Sequence, residues 1–134
     1  YVINITQLKE RNYDYIEREM AEIVEICRSK NIISKVIFEN CYLTDAEKKE
    51  LCRIACIVKP DFIKTSTGFG TGGATFEDVA LMKRMVGDEV KIKAAGGIRN
   101  LETAQKMIEL GVSRIGSTAS VSIVEELKAF LQKQ

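Results

Sequence analysis

Runs of β-branched residues alternate with amphipathic helical stretches along the whole chain, and this alternation restricts the fold more than any other feature. Parallel strands need crossover connections, which are usually helices, so a regular strand–helix repeat predicts a parallel sheet in an α/β fold. We expect five parallel strands alternating with five helices. The predicted strands are Tyr1–Ile5, Ile33–Glu39, Asp61–Thr65, Val90–Ala94 and Ser113–Gly116.

The segments between these strands carry helix signals. Apolar residues recur every three to four positions from Ile16 to Cys27, which gives the first helix one apolar face. Thr44 and Glu47 have the spacing of a capping box, and Asn100 is a suitable N-cap for the helix that follows it. Each helix is therefore expected to cover one face of the sheet.

Two architectures contain such a repeat, namely an open doubly wound sheet and a (β/α)8 barrel. A barrel needs eight strands and about 250 residues, so a length of 134 residues favours the open sheet. The sequence begins within a predicted strand, which instead favours part of a barrel. We expect one domain over residues 1–134 in either case, since 46% apolar residues can supply one core.

Composition excludes several classes of function. The chain has 20 Lys and Arg against 19 Asp and Glu, so no global charge favours nucleic acid or anionic lipid. No apolar run approaches the roughly 20 residues of a membrane span. We expect a soluble cytoplasmic protein with reduced cysteines. The absence of histidine excludes Ser-His and Cys-His catalysis, and the cysteine spacing gives no metal site.

Two lysines stand at corresponding places in the repeat. Lys64 ends a predicted strand and precedes a glycine-rich loop, and Lys93 lies near the end of the next strand. The carboxyl ends of parallel strands are where barrel enzymes hold their catalytic residues. Lys64 alone is equally consistent with a structural ion-pair partner.

The two lysines together favour chemistry over a structural role. Neighbouring ammonium groups disfavour each other's charge, and burial disfavours any charge, so one amine is expected to be neutral near pH 7. A neutral amine attacks carbonyl carbon, whereas an ordinary lysine with a pKa of about 10.4 is almost entirely protonated. Lys64 and Lys93 are therefore predicted to form an imine-forming pair.

Glycine-rich turns follow these two strands and the last predicted strand, and they expose backbone N–H groups that can bind phosphate. The alternative is that these glycines only allow tight turns between strand and helix. The candidate phosphate-binding residues are Gly68, Gly96, Gly97, Arg99, Gly116, Ser117 and Thr118.

Four motifs resemble the deoxyribose-phosphate aldolase family: FIKTSTGF, GGATFEDV, KIKAAGGIR and RIGSTAS, in that order. The resemblance implies a partial (β/α)8 barrel, with residues 1–134 corresponding to strands four to eight. It also implies that Lys64 forms a Schiff base, that Lys93 lowers its pKa, and that no metal or cofactor takes part. The expected reaction is reversible cleavage of 2-deoxy-D-ribose 5-phosphate to acetaldehyde and D-glyceraldehyde 3-phosphate.

The resemblance also implies departures from the family pattern. The family's proton-transferring aspartate would immediately precede Tyr1, and the first three βα units have no counterpart here. Glu39 is a possible lysine partner, either by neutralising charge or by moving protons. The alternative is a catalytically incomplete phosphate-binding fragment that needs its N-terminal portion. We expect a phosphosugar substrate, and either a homo-oligomer or association with that portion.

Overall fold

A computed structural model describes residues 1–132, which form one four-stranded parallel sheet with helices packed against it. Each strand pairs with the next strand along the chain, in the order β1-β2-β3-β4. Consecutive order without a reversal places successive crossover helices on the same face, as in a barrel wall, whereas a doubly wound sheet reverses direction. The strands are β1 (Lys35–Ile37), β2 (Phe62–Lys64), β3 (Lys91–Ala95) and β4 (Arg114–Gly116).

Six α-helices and one short 3-10 helix connect or flank these strands within the described residues. Both halves of the predicted capping box are present at the start of α3, and the Asn100 side chain accepts a hydrogen bond from the Thr103 amide. The helices are α1 (Ile5–Lys9), α2 (Tyr13–Ser29), α3 (Asp45–Val58), α4 (Phe76–Val86), α5 (Leu101–Glu109) and α6 (Ser120–Leu131), with the 3-10 helix at Asn40–Tyr42.

The first predicted strand is shorter than expected. It contributes an isolated parallel bridge between Val2 and Ile37, supported by the Ile3 amide donating to the Ile37 carbonyl at 3.1 Å. The Asn4 side chain then accepts from the Gln7 amide and caps helix α1, so the chain turns before Ile5. The prediction of five strands and five helices thus becomes, over residues 1–132, four strands with one bridge and six α-helices.

The core lies between the sheet and the helices. Val36, Ile63 and Ile92 occupy matching positions on three neighbouring strands and are essentially buried. Burial of each such side chain contributes about 1.5–3 kcal/mol. Lys48 and Asp78 form a buried ion pair at 2.6 Å that joins α3 to α4.

Helix α6 differs from the others because none of its residues is buried. Val121, Val124, Phe130 and Leu131 are all exposed. Among residues 1–132, no helix combines the length and the apolar character needed to cross a bilayer.

Candidate functional site

A cavity of about 450 Å³ opens at the carboxyl edge of the sheet, within the size range of small-molecule sites. It is built from the loops that follow β2, β3 and β4. Its lining includes Lys64 and every residue predicted to bind phosphate, together with Thr67, Ala95 and Ile98. The predicted residues in the lining are Gly68, Gly96, Gly97, Arg99, Gly116, Ser117 and Thr118.

Lys64 and Lys93 are direct partners across the β2–β3 pairing, so both side chains leave the sheet on the same face. Burial lowers the pKa of Lys64 below its ordinary value, and the positive charge of Lys93 lowers it further, while Glu39 acts in the opposite direction. Gly116 on β4 makes room for Lys93, because a Cβ there would lie 3.0 Å from the lysine Cε. The geometry thus brings the two predicted lysines together beside the cavity.

Lys35 and Arg114 extend this cationic group, and neither was predicted from the sequence. Burial lowers the pKa of Lys35, with further lowering by Lys93 and then Arg114. The Arg114 guanidinium lies 4.5 Å from the centre of the Phe62 ring. None of these four cations forms an ion pair within the described residues.

The register of the strands determines which cations belong to this larger group. Arg114 pairs with Lys93. Lys35 pairs with Phe62, which in turn pairs with Lys91 on the next strand. Every second residue along these strands faces the same side, so the cations gather there once the register is known. The sequence alone does not specify which residues of neighbouring strands lie opposite each other.

The two loops that follow β3 and β4 hold each other in place. Gly96 and Gly97 adopt φ values of +86° and +78°, which residues with a Cβ rarely adopt. The Ser117 hydroxyl donates to the Ile98 carbonyl at 2.5 Å and accepts from the Ala119 amide at 2.9 Å. Backbone N–H groups in such a turn, next to the exposed Arg99 side chain, are suited to bind an anion.

The loop after β2 crosses the end of β3 at Gly73. The Ala74 amide donates to the carbonyls of Ala95 and Gly96, both at 3.0 Å. A Cβ added to Gly73 would lie 2.4 Å from the Gly96 carbonyl carbon and oxygen, so the two backbones are in direct contact. The crossing thus packs against Ala95 and Gly96, which line the cavity.

Substitution Gly73→Ala is expected to destabilise the fold by about 2–3 kcal/mol, because the obstructing atoms belong to backbone that cannot rotate away. Gly72→Ala is the matched control. Its nearest contact would be the Cys41 Cβ at 3.1 Å, which needs only a small adjustment. Urea denaturation measures both variants, and equal losses of stability would show that the crossing at Gly73 is not tight.

Glu39 lies at the same edge but its carboxylate is directed to Thr67. The carboxylate accepts hydrogen bonds from the Thr67 amide at 3.1 Å and from the Thr67 hydroxyl. Within residues 1–132, Glu39 forms no ion pair with any lysine. Its influence on Lys64 is therefore a longer-range attraction between charges.

The fold and the site define the class of protein. It is an α/β protein of the (β/α)-barrel type, with a lysine pair beside a cavity whose backbone N–H groups are suited to bind an anion. No protein-family model matches the chain. It is 61% identical over 128 residues to the deoxyribose-phosphate aldolase of Lactobacillus acidophilus, which covers 96% of this chain and 54% of that protein. Over nearly its whole length the chain is thus similar to deoxyribose-phosphate aldolases.

Solved structures show the same relationship. The chain superposes on a structure described as "QR15, an Aldolase" with a TM-score of 0.89 and 42% identity, covering 99% of this chain and 60% of that one. For the tetrameric deoxyribose-phosphate aldolase of Aeropyrum pernix the TM-score is 0.79 at 28% identity, covering 88% and 51%. The chain spans about half the length of the curated relatives that it matches.

Proposed function

We propose that this chain carries the Schiff-base centre of a class I aldolase. The reaction is reversible cleavage of 2-deoxy-D-ribose 5-phosphate to acetaldehyde and D-glyceraldehyde 3-phosphate. The observation that carries this proposal is the pairing of Lys64 with Lys93 across β2 and β3, which favours a neutral Lys64 amine beside the cavity. The similarity to deoxyribose-phosphate aldolases indicates which carbonyl compound that amine attacks.

Lys64 acts as the nucleophile. Its neutral amine adds to the C1 aldehyde of the open-chain sugar, and loss of water leaves a protonated imine. Removal of the C3 hydroxyl proton then breaks the C2–C3 bond, whose electron pair moves into the imine to form an enamine. Glyceraldehyde 3-phosphate leaves, C2 is protonated, and water hydrolyses the remaining imine to release acetaldehyde. Lys93 lowers the pKa of Lys64 and takes part in the proton transfers.

The loops after β3 and β4 bind the substrate phosphate. Gly96 and Gly97 turn their backbone toward the cavity, Ser117 ties the two loops together, and Arg99 adds a positive charge at the rim. Lys64 lines the same cavity, so one ligand can contact the amine and the loops together. Binding the phosphate at a fixed distance from Lys64 orients the aldehyde for attack.

Two assays on the 134-residue chain test this function. Sodium borohydride with acetaldehyde reduces an imine to a stable adduct, which intact-mass measurement detects on one lysine. Cleavage of 2-deoxyribose 5-phosphate is followed through the acetaldehyde that it releases. A chain that does neither, alone or together with the N-terminal half of a relative, would contradict the proposed function.

A second candidate function is favoured by helix α6, most of whose apolar residues are exposed in the described structure. In this alternative the chain is a phosphate-binding part that becomes active only when its N-terminal portion or a second copy covers that face. Trapping without turnover would support it, as would turnover that appears on adding residues homologous to the N-terminal half of the relatives. The relative from Aeropyrum pernix is described as a tetramer, and we propose association for this chain also.

We propose that the protein works in a reducing cytoplasm. All four cysteines are free thiols, and Cys52 is fully buried in the core. Burial raises the pKa of the Cys52 thiol to about 12, so it stays protonated and unreactive. A thiol that only packs in the core forms no disulfide, so it fits a reducing compartment.

Substitution Gly97→Ala is expected to weaken binding of phosphorylated substrate by about tenfold, because alanine at a φ of +78° strains the turn by roughly 1–2 kcal/mol. Nothing lies within 4 Å of the added Cβ, so the change affects the loop conformation without a clash. The half-saturating concentration in borohydride trapping is compared for 2-deoxyribose 5-phosphate and 2-deoxyribose. Equal changes for both sugars would contradict the phosphate assignment.

A further inference from the structure

Glu39 is a buried carboxylate held in an unusual backbone conformation. Only 5% of its surface is exposed, and its φ of +56° is in the left-handed region that favours glycine. A residue with a Cβ is held there only when its surroundings fix it, and such positions cluster at functional sites. Glu39 lies two residues after Ile37, the last residue of β1, at the edge of the sheet that holds the cavity.

The carboxylate of Glu39 binds Thr67 at two atoms and also accepts a long hydrogen bond from the Cys41 thiol at 4.0 Å. It accepts from the Thr67 amide at 3.1 Å and also accepts the proton of the Thr67 hydroxyl. The loop then passes directly over the carboxylate, since a Cβ on Gly70 would lie 3.2 Å from the Glu39 Cδ. The contact is thereby enclosed by the loop that lines the cavity.

This arrangement fixes the direction in which the Thr67 hydroxyl donates its proton. A hydroxyl has one proton and two lone pairs, and a carboxylate can only accept, so the proton is committed to Glu39. The Phe69 amide donates to the same oxygen at 3.0 Å and occupies one lone pair. One lone pair remains, and Thr67 lines the cavity together with Lys64.

We propose that Glu39 is a positioning residue that makes Thr67 a hydrogen-bond acceptor on the wall of the cavity, so that this wall selects a hydroxyl group of the ligand. This inference rests on the proposed function and deepens it. A lone pair repels phosphate oxygens, so the phosphate is directed to the loops that follow β3 and β4. The sugar hydroxyls are thereby placed beside Thr67 while the aldehyde faces Lys64.

Substitution Glu39→Gln tests whether residue 39 sets the direction in which the Thr67 hydroxyl donates its proton. The glutamine side chain accepts only through its oxygen. When that oxygen accepts from the Thr67 amide, the glutamine NH2 group faces the Thr67 hydroxyl, so the hydroxyl must turn its proton away from residue 39. Thr67→Val removes the hydroxyl with little change of shape. The double variant shows whether Glu39 acts through Thr67, because it should then be no worse than Thr67→Val alone.

A comparison of two ligands distinguishes weaker binding of the sugar hydroxyls from a general loss of ligand binding. 2-Deoxyribose 5-phosphate carries the hydroxyls, and 5-oxopentyl phosphate keeps the aldehyde and the phosphate without them. In borohydride trapping, Glu39→Gln should raise the half-saturating concentration of the sugar by about tenfold, and that of 5-oxopentyl phosphate by less than about threefold. Equal increases for both ligands, or additive effects in the double variant, would overturn the inference.

Amide hydrogen exchange on the ligand-free chain gives a second measurement that does not depend on imine formation. Glu39→Ala should make the Thr67 amide exchange at least about tenfold faster, while the Ala74 amide, bound to backbone carbonyls, keeps its rate. If wild type traps no aldehyde, the proposed function fails, and the exchange result still decides whether Glu39 holds Thr67. An unchanged Thr67 rate would overturn the inference by itself.

Discussion

Lys64→Met is expected to abolish borohydride trapping of acetaldehyde at neutral pH, with a loss of at least about 100-fold. Only a neutral amine can add to the carbonyl, and Lys64 is the lysine that lines the cavity and whose pKa is lowered by burial and by Lys93. Methionine keeps the length and the apolar stem of the side chain. Intact-mass measurement after reduction counts the adducts, and peptide mapping locates them.

Lys91→Met is the matched control for this substitution. Lys91 is on the same face of β3 as Lys93, but it is exposed and lies over the Phe62 ring at 5.8 Å, away from the cavity lining. Its removal should leave trapping within about twofold of wild type, because the charge of an exposed lysine is strongly screened by water. Equal trapping by wild type and Lys64→Met would assign the nucleophile to another lysine, with Lys35 as the next candidate.

The sequence predicted those parts of the site that depend on the order of residues along one strand and its loop. A lysine at a strand end followed by glycine, as at Lys64-Thr65-Ser66-Thr67-Gly68, is visible without coordinates. So is the Gly96-Gly97 turn, and the structure places both at one cavity. Because all parallel strands direct their carboxyl ends to one edge, local motifs were enough to bring these residues together.

The sequence did not predict contacts between loops from different strands. The binding of Glu39 to Thr67 joins residues 28 positions apart, and it depends on a left-handed turn at a glutamate, which has no strong sequence signal. The early turn after Ile3 was also missed, because the apolar pattern of Tyr1–Ile5 is typical of a strand and the capping role of Asn4 overrides it.

Lys93→Met is expected to move the pH profile of imine formation to higher pH, with roughly tenfold slower trapping at neutral pH. The positive charge of Lys93 is one of the two causes that lower the pKa of Lys64, so removing it raises that pKa. A higher pKa leaves less neutral amine at pH 7, and the rate recovers as the pH rises through the new pKa. Burial remains the larger cause, so the profile should stay below that of an exposed lysine.

The control for this shift is Lys93→Arg, which keeps a fixed positive charge at the same position on β3. Its profile should stay close to that of wild type, although the larger guanidinium has to fit beside Gly116. The Lys93→Met profile would contradict the repulsion argument if its midpoint coincided with that of wild type. A lower rate at every pH with an unchanged midpoint would instead assign Lys93 to proton transfer alone, because only a change in the pKa of Lys64 moves the midpoint.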